Sequence, residues 1–174
     1  IQAALYQGLP AFCRIEGVIM PSSDSHVEFE VWLPASGWNG KYLGVGNGGF
    51  AGSIQYASGK DNNAPGMAEA LNGGFATSST YTGHRGTGTD TAWANGHPEK
   101  VTDYYYRGIH ETAVKAKAII REFYGSTPKY SYFSSCSNGG RQALMEVQRY
   151  PADYDGVLAG APSYSRTHYQ AGFV

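Results

Sequence analysis

The residues best suited to covalent chemistry lie in the stretch Ser-Cys-Ser-Asn-Gly-Gly at 135–140. It follows alternating aromatic and small residues and precedes a helical pattern, which predicts a turn between a strand and a helix. A serine hydroxyl becomes a useful nucleophile when it is exposed, lies beside a base and faces donors for the developing oxyanion. A sharp strand-to-helix turn exposes the side chain and places the next N–H at the positive end of a helix. Ser137 is therefore the candidate nucleophile, and Asn138 is a candidate oxyanion donor.

The stretch departs from the Gly-x-Ser-x-Gly pattern of such turns, because Ser135 replaces the first glycine. Gly139 and Gly140 still leave room where strand and helix pack closely. A second interpretation is a plain strand–turn–helix in which the Ser137 hydroxyl caps the helix. This motif alone leaves both interpretations open.

A second glycine-rich motif, Gly-Val-Gly-Asn-Gly-Gly-Phe at 44–50, follows an early strand pattern. In hydrolases built on a nucleophile elbow, a loop at this place gives one oxyanion-hole N–H, and the residue after the serine gives another. Gly48 and Gly49 are the candidate donors. A simple glycine-rich turn is the alternative in a chain with 24 glycines. The two motifs in this order are more specific than either alone.

The surrounding patterns predict the elements that position these motifs. Strand patterns occur at 12–21, 26–34, 75–80, 129–135 and 154–163, and the stretch 41–50 starts as a strand and continues as the glycine-rich loop. Helix patterns occur at 67–74, 102–125 and 139–151, and a long irregular loop occupies 82–100. Alternating strands and helices predict an α/β fold, a mostly parallel sheet with helices on both faces, with the initial antiparallel hairpin at one edge. The last strand has an apolar centre, which is typical of burial on both faces.

The composition excludes several classes of partner. The chain has 174 residues, 41% of them hydrophobic and 16% charged, which suits one compact domain. A net charge of −1 disfavours nucleic acid or an anionic membrane as partner. The His, Cys, Asp and Glu residues form no group with metal-ligand spacing, so we expect neither metal nor cofactor in this segment.

The base of a catalytic triad is not evident downstream of Ser137, where only Asp153, Asp155 and His168 follow. The two aspartates precede the last strand and should lie at the end of the sheet opposite the elbow. His168 follows that strand too closely to be the base. We expect all three to be structural or surface residues, and His110 to be a capping or packing residue of the long helix.

Several longer stretches carry a family resemblance. They are "FCRIEGVI" (12–19), "FEVWLP" and "GWNGKYLGVGNGGFAG" (within 29–52), "GHPEKV" (96–101), "HETAVKAKAIIREFYG" (110–125) and "CSNGGRQALMEVQRYPADYDGVLAGAP" (136–162). Over essentially its whole length the chain resembles the tannase and feruloyl esterase family. The resemblance implies the α/β-hydrolase fold and a secreted enzyme that cleaves phenolic esters, including those of plant cell walls. A feruloyl esterase is the first expectation and a tannase the second.

The resemblance also implies what surrounds this segment. Residues 1–174 would be the N-terminal part of the catalytic domain, with the catalytic Asp and His and a lid that commonly holds calcium beyond residue 174. Cys136 would pair with a cysteine after the catalytic histidine, and Cys13 with another outside the segment. The two should not bond to each other, because an edge strand and the elbow lie too far apart. Tyr81 stands where the family usually has Asp, which leaves its role open.

Two other functional classes stay open. A binding protein on the same fold could have lost catalysis, although the intact Ser137 and glycine-rich loop disfavour it. A serine peptidase would use the same triad, and the family resemblance disfavours that alternative.

Overall fold

The computed structural model describes residues 8–57, 64–165, 168 and 171–172. Its strands are β1 (Phe12–Ile19), β2 (Val27–Pro34), β3 (Lys41–Val45), β4 (Ala76–Thr80), β5 (Tyr130–Cys136) and β6 (Gly156–Gly160). Its α-helices are α1 (Met67–Asn72), α2 (Pro98–Thr102), α3 (Gly108–Tyr124) and α4 (Asn138–Arg149). The strands form one sheet in the order β1-β2-β4-β3-β5-β6. The pairs β1–β2 and β2–β4 are antiparallel and the other three are parallel, which confirms the predicted sheet and edge hairpin.

Helices cover both faces of the sheet, as predicted. On one face, Ala70 of α1 packs with Leu43 and Val45. On the other, Ala116 of α3 packs in the cluster that contains Tyr42. Helix α4 joins this second face through the cluster of Ala143, Phe133 and Ile109.

The predicted helix over 102–125 begins differently from its pattern. Residues 103–107 form a π-helical turn before α3, and the predicted loop contains a 3₁₀ turn (Ala92–Ala94) and helix α2. The wider π turn shifts the helix register, so Tyr104 is buried while Tyr106 is only half-buried. At the far end of the expected apolar face, Phe123 is 44% exposed. The central part of that face is buried as predicted.

Strands at different positions in the sheet are covered to different extents. Strand β2 is buried on both faces, including Glu30, whose carboxylate receives two hydrogen bonds from the Arg14 guanidinium at 2.7 and 2.6 Å. The last strand, whose apolar centre is typical of burial on both faces, is the edge strand β6 of the described sheet, and its Leu158 is 60% exposed.

The carboxyl ends of the parallel strands meet at one edge of the sheet, where loops carry the site residues. Two hydrogen bonds tie this edge together. The Ser137 N–H donates to the Gly160 carbonyl at the end of β6, at 3.0 Å. The Asn47 Nδ2 donates to the Thr80 carbonyl at the end of β4, at 2.8 Å. None of the helices in the described ranges is long and apolar enough to cross a membrane.

Candidate active site

Ser137 occupies a strained backbone conformation between β5 and α4. Its φ of 61° and ψ of −118° lie in a region that non-glycine residues rarely adopt. Its carbonyl accepts hydrogen bonds from the N–H groups of Arg141 and Ser163, both at 3.1 Å. The side chain makes no capping bond to the helix, so helix capping does not explain this serine. Hydrogen bonds fix the main chain of Ser137, whereas its hydroxyl makes no capping bond to α4.

Small residues beneath the elbow allow this tight turn. A Cβ on Gly139 would lie 1.8 Å from the Ser135 Oγ, and one on Gly140 would lie 2.3 Å from the Gly160 carbonyl oxygen. Both glycines therefore keep the space that the motif predicted. Ser135, which replaces the glycine of the usual pattern, is buried and fills the space that Gly139 leaves.

The glycine-rich loop lies beside the elbow. Its Asn47 carbonyl accepts a hydrogen bond from the Asn138 Nδ2 at 3.4 Å. Gly49 has a φ of 55°, and a Cβ there would lie 2.4 Å from the Gly88 carbonyl oxygen, so this position requires glycine. Within the described ranges, the backbone N–H groups of Gly48, Gly49 and Asn138 donate to no protein acceptor. One backbone donor directly after Ser137, and two in the loop whose Asn47 contacts Asn138, are thus left without a protein acceptor in the part of the chain that the structure describes.

A buried network holds Asn138 in place. Its Oδ1 accepts hydrogen bonds from the Tyr104 hydroxyl and the Arg141 Nε, both at 2.9 Å. The Arg141 guanidinium also donates to the carbonyls of Tyr104 and Tyr105, at 3.0 and 2.6 Å. The π-helical turn is thereby fastened to the elbow. Sequence reasoning missed this link, although the Gly-Gly-Arg-Gln run hinted at polar side chains directly after the turn.

His84 supports the glycine-rich loop from the other side. Its Nε2 donates to the Phe50 carbonyl at 2.8 Å, and its ring stacks on Trp93 with centroids 3.8 Å apart. Burial lowers the pKa of His84, which favours the neutral ring. A neutral ring with its proton on Nε2 fits a holding role in the loop.

A cavity of about 460 Å³ opens above the elbow, lined by Ser137, residues 161–165 and His168. The His168 Nδ1 lies 3.1 Å from the Ser165 Oγ. Sequence reasoning set His168 aside, yet the fold brings it to the same cavity as Ser137. Asp155, by contrast, lies at the opposite end of β5, where its Oδ2 accepts from the Ser131 N–H at 2.7 Å.

A second polar cluster forms far from the elbow, where residues distant in sequence meet. Ligand atoms of His110, Glu146 and Asp153 all lie within 4.8 Å of one another. The His110 Nδ1 and the Asp153 Oδ2 are hydrogen-bonded at 2.6 Å, and the Lys117 Nζ donates to the Asp153 carbonyl. Burial, with the Asp153 carboxylate beside it, raises the pKa of Glu146 to about 9. A protonated carboxyl, an imidazole and a neighbouring ammonium fit a structural cluster better than a calcium site, because calcium prefers all-oxygen ligands.

The two cysteines are free thiols in the described structure and lie on different strands. Cys13 is on the edge strand β1, and Cys136 ends β5, four strand positions away in the sheet, so they are not bonded to each other, as the topology predicted. Tyr81 follows β4, and the Arg85 guanidinium lies over its ring, 4.4 Å from the centroid. Arg85 also donates to the Glu28 carboxylate at 2.9 Å, so Tyr81 belongs to a surface network.

Comparison with known proteins decides the family. The model of the family described as "Tannase and feruloyl esterase" matches residues 13–173, which is most of the chain. The chain belongs to the tannase and feruloyl esterase family. Its sheet and helices are those of an α/β-hydrolase, as the resemblance implied.

Individual relatives agree with this assignment. An uncharacterized esterase from Xanthomonas campestris pv. campestris is 46% identical over 92% of this chain, and a probable feruloyl esterase B from Aspergillus clavatus is 39% identical over 88%. The crystal structure of feruloyl esterase B from Aspergillus oryzae matches 87% of the chain with a TM-score of 0.79 and 39% identity. Tannin acyl hydrolase from Aspergillus niger matches 87% with a TM-score of 0.69 and 29% identity. The chain spans only 26–28% of the length of these four proteins.

Proposed function

We propose that this chain is the nucleophile-bearing, N-terminal part of a secreted serine esterase that cleaves esters of phenolic acids. The observation that carries the proposal is the strained backbone of Ser137 at φ 61°, with a hydroxyl that caps nothing and lines a cavity. Strain of this kind persists where the surrounding structure enforces it, and it concentrates at functional sites. The names of the relatives, feruloyl esterase B and tannin acyl hydrolase, supply the substrate class.

In the proposed mechanism, the Ser137 Oγ attacks the ester carbonyl carbon and gives up its proton to a histidine. The N–H groups of Asn138 and of Gly48 or Gly49 stabilise the oxyanion of the tetrahedral intermediate. Collapse of that intermediate expels the alcohol, which takes its proton from the histidine, and leaves an acyl-enzyme. Water, deprotonated by the same histidine, then hydrolyses the acyl-enzyme to the free acid and restores the Ser137 hydroxyl. The positive end of α4 adds to the stabilisation of the oxyanion.

The base would come from a His–Asp pair beyond residue 174, with Cys136 in a disulfide with a cysteine directly after that histidine. Cys13 would pair with another cysteine outside the segment. A lid beyond residue 174, with calcium bound, would complete the substrate pocket. His168 is the alternative base within the chain, since it lines the Ser137 cavity.

The test compares the full-length protein with its Ser137→Ala and Ser135→Ala variants on methyl ferulate, methyl gallate and a matched aryl amide. We expect Ser137→Ala to lower kcat by about 10⁴–10⁶-fold. Ser135→Ala, the matched control at a buried hydroxyl, should keep kcat within about tenfold. A His168→Ala variant in the same series should remain active.

Three results would contradict the proposal. Wild-type protein without Ser137-dependent turnover would favour a binding protein. Faster cleavage of the amide than of the esters would favour a peptidase. Loss of activity in His168→Ala equal to that in Ser137→Ala would move the base into this chain.

A further inference from the structure

Gln142 has a buried side-chain amide whose oxygen and nitrogen both hydrogen-bond to one residue, Asn47. It is 1% exposed, and its Oε1 accepts from the Asn47 N–H at 3.0 Å. Its Nε2 donates to the Asn47 Oδ1 at 3.1 Å. Burying an amide is unfavourable unless hydrogen bonds replace water. The pair of bonds therefore makes a specific link between α4 and the glycine-rich loop.

Two main-chain carbonyls hold the Asn47 side chain as well. Its Nδ2 donates to the carbonyls of Ser53 and Thr80, at 2.6 and 2.8 Å. Asn47 itself is 2% exposed. The residue directly before Gly48 is thus fixed to the end of β4, to the end of its own loop and to helix α4.

Gly46 is shaped by the same contact. A Cβ at this position would lie 2.5 Å from the Gln142 Oε1, so the glycine leaves the space that the amide occupies. Asn138 and Gln142 are four residues apart and share one face of α4. The side chains of Asn138, whose N–H is one candidate donor, and of Gln142 therefore both hydrogen-bond to Asn47, in the loop that holds the other candidate donors.

We propose that Gln142 is a positioning residue for the oxyanion hole. It acts through Asn47 and sets the distance between the N–H of Gly48 or Gly49 and the N–H of Asn138. Glycines at 46, 48 and 49 give the loop conformational freedom, which the two bonds remove. Oxyanion donors are effective when they are held in place before the reaction. The inference rests on the proposed esterase function.

Gln142→Met in the full-length protein tests it, because Met keeps the length and removes both hydrogen bonds. We expect kcat for methyl ferulate to fall about 10- to 100-fold with KM within about threefold. Phenylboronic acid, which forms a tetrahedral adduct with a catalytic serine, should bind more weakly by a similar factor. Amide hydrogen exchange in the 44–50 peptide should become faster.

Tyr42→Phe is the matched control. It removes a fully buried hydroxyl that lies 2.6 Å from the Ser78 Oγ, without touching the loop. Its kcat should stay within about threefold of wild type. Gln142→Glu serves if the Met variant does not fold. Protonated Glu has the shape and donor of Gln, so its kcat relative to wild type should rise as pH falls.

The outcomes separate the two proposals. An active wild type with unchanged kcat or unchanged exchange in Gln142→Met overturns the positioning role alone. An equal loss of kcat in Tyr42→Phe does the same, since it would reduce the effect to general destabilisation. A wild type without Ser137-dependent turnover overturns the proposed function and the positioning role with it.

Discussion

Helix α4 carries a buried polar cluster near each end, and the two clusters differ in what they leave free. At the start, Asn138, Arg141 and Gln142 bond to side chains and carbonyls of neighbouring segments. The backbone N–H of Asn138, directly after Ser137, has no acceptor among the described residues. Further along, Glu146 and Asp153 face each other, and burial keeps Glu146 protonated. In the proposed mechanism the first cluster receives a negative charge, whereas burial disfavours a negative charge at the second.

The position of each cluster relative to the sheet explains the difference. The start of α4 lies at the carboxyl ends of β5 and β6, where the helix dipole is positive and a cavity opens. Glu146 lies deep against the sheet, 1% exposed, where an ionised carboxylate would lose its hydration. The same helix therefore contributes both a candidate catalytic end and a structural, pH-sensitive contact.

The largest effect should follow from filling the space under the elbow. Gly139→Ala places a Cβ 1.8 Å from the Ser135 Oγ and 2.4 Å from its Cβ, so the turn must open. We expect a loss of roughly 3 kcal/mol or more in the free energy of unfolding, measured by urea denaturation. The double variant Ser135→Gly/Gly139→Ala should recover part of that loss. Equal stability of the two variants would show that Ser135 does not limit the space.

A smaller effect is expected at the second cluster, on the pH dependence of the free energy of unfolding. Because folding raises the pKa of Glu146, the folded protein holds a proton that the unfolded chain releases near pH 4. The stabilising contribution is complete below that pH and is lost as pH rises through about 9. Glu146→Gln should therefore remove part of the decline in unfolding free energy between about pH 5 and about pH 9.

The matched control for that change is Glu122→Gln. The Glu122 side chain is 76% exposed and pairs with Arg121 at the surface, so its pH profile should follow wild type. Urea unfolding across the pH range measures both variants. A Glu146→Gln profile parallel to wild type would show that Glu146 is ionised in the folded protein.

The elbow and the glycine-rich loop were predictable from sequence because their chemistry is local. Ser137 and its glycines are neighbours in the chain, and so are Gly48 and Gly49. The mostly parallel sheet with an antiparallel hairpin at one edge followed from the alternation of patterns. The Asn47–Gln142 link was not predictable, because it joins positions 95 residues apart.

Three other features could not be predicted, for related reasons. His110 and Asp153 are 43 residues apart and meet only after α3 and α4 pack on the same face. The π-helical turn that buries Tyr104 breaks the helical period on which the prediction relied. His168 was set aside from its position after β6, yet it lines the same cavity as Ser137.

The most direct test of the account is to find which residue reacts. A fluorophosphonate probe should label the full-length protein, and mass mapping should place the adduct on Ser137. Ser135 is a strict internal comparison, because it lies two residues away and is only 4% exposed. We predict an adduct on Ser137 that disappears in Ser137→Ala. An adduct on Ser135, or no labelling of a folded wild-type protein, would contradict the assignment of Ser137 as the nucleophile.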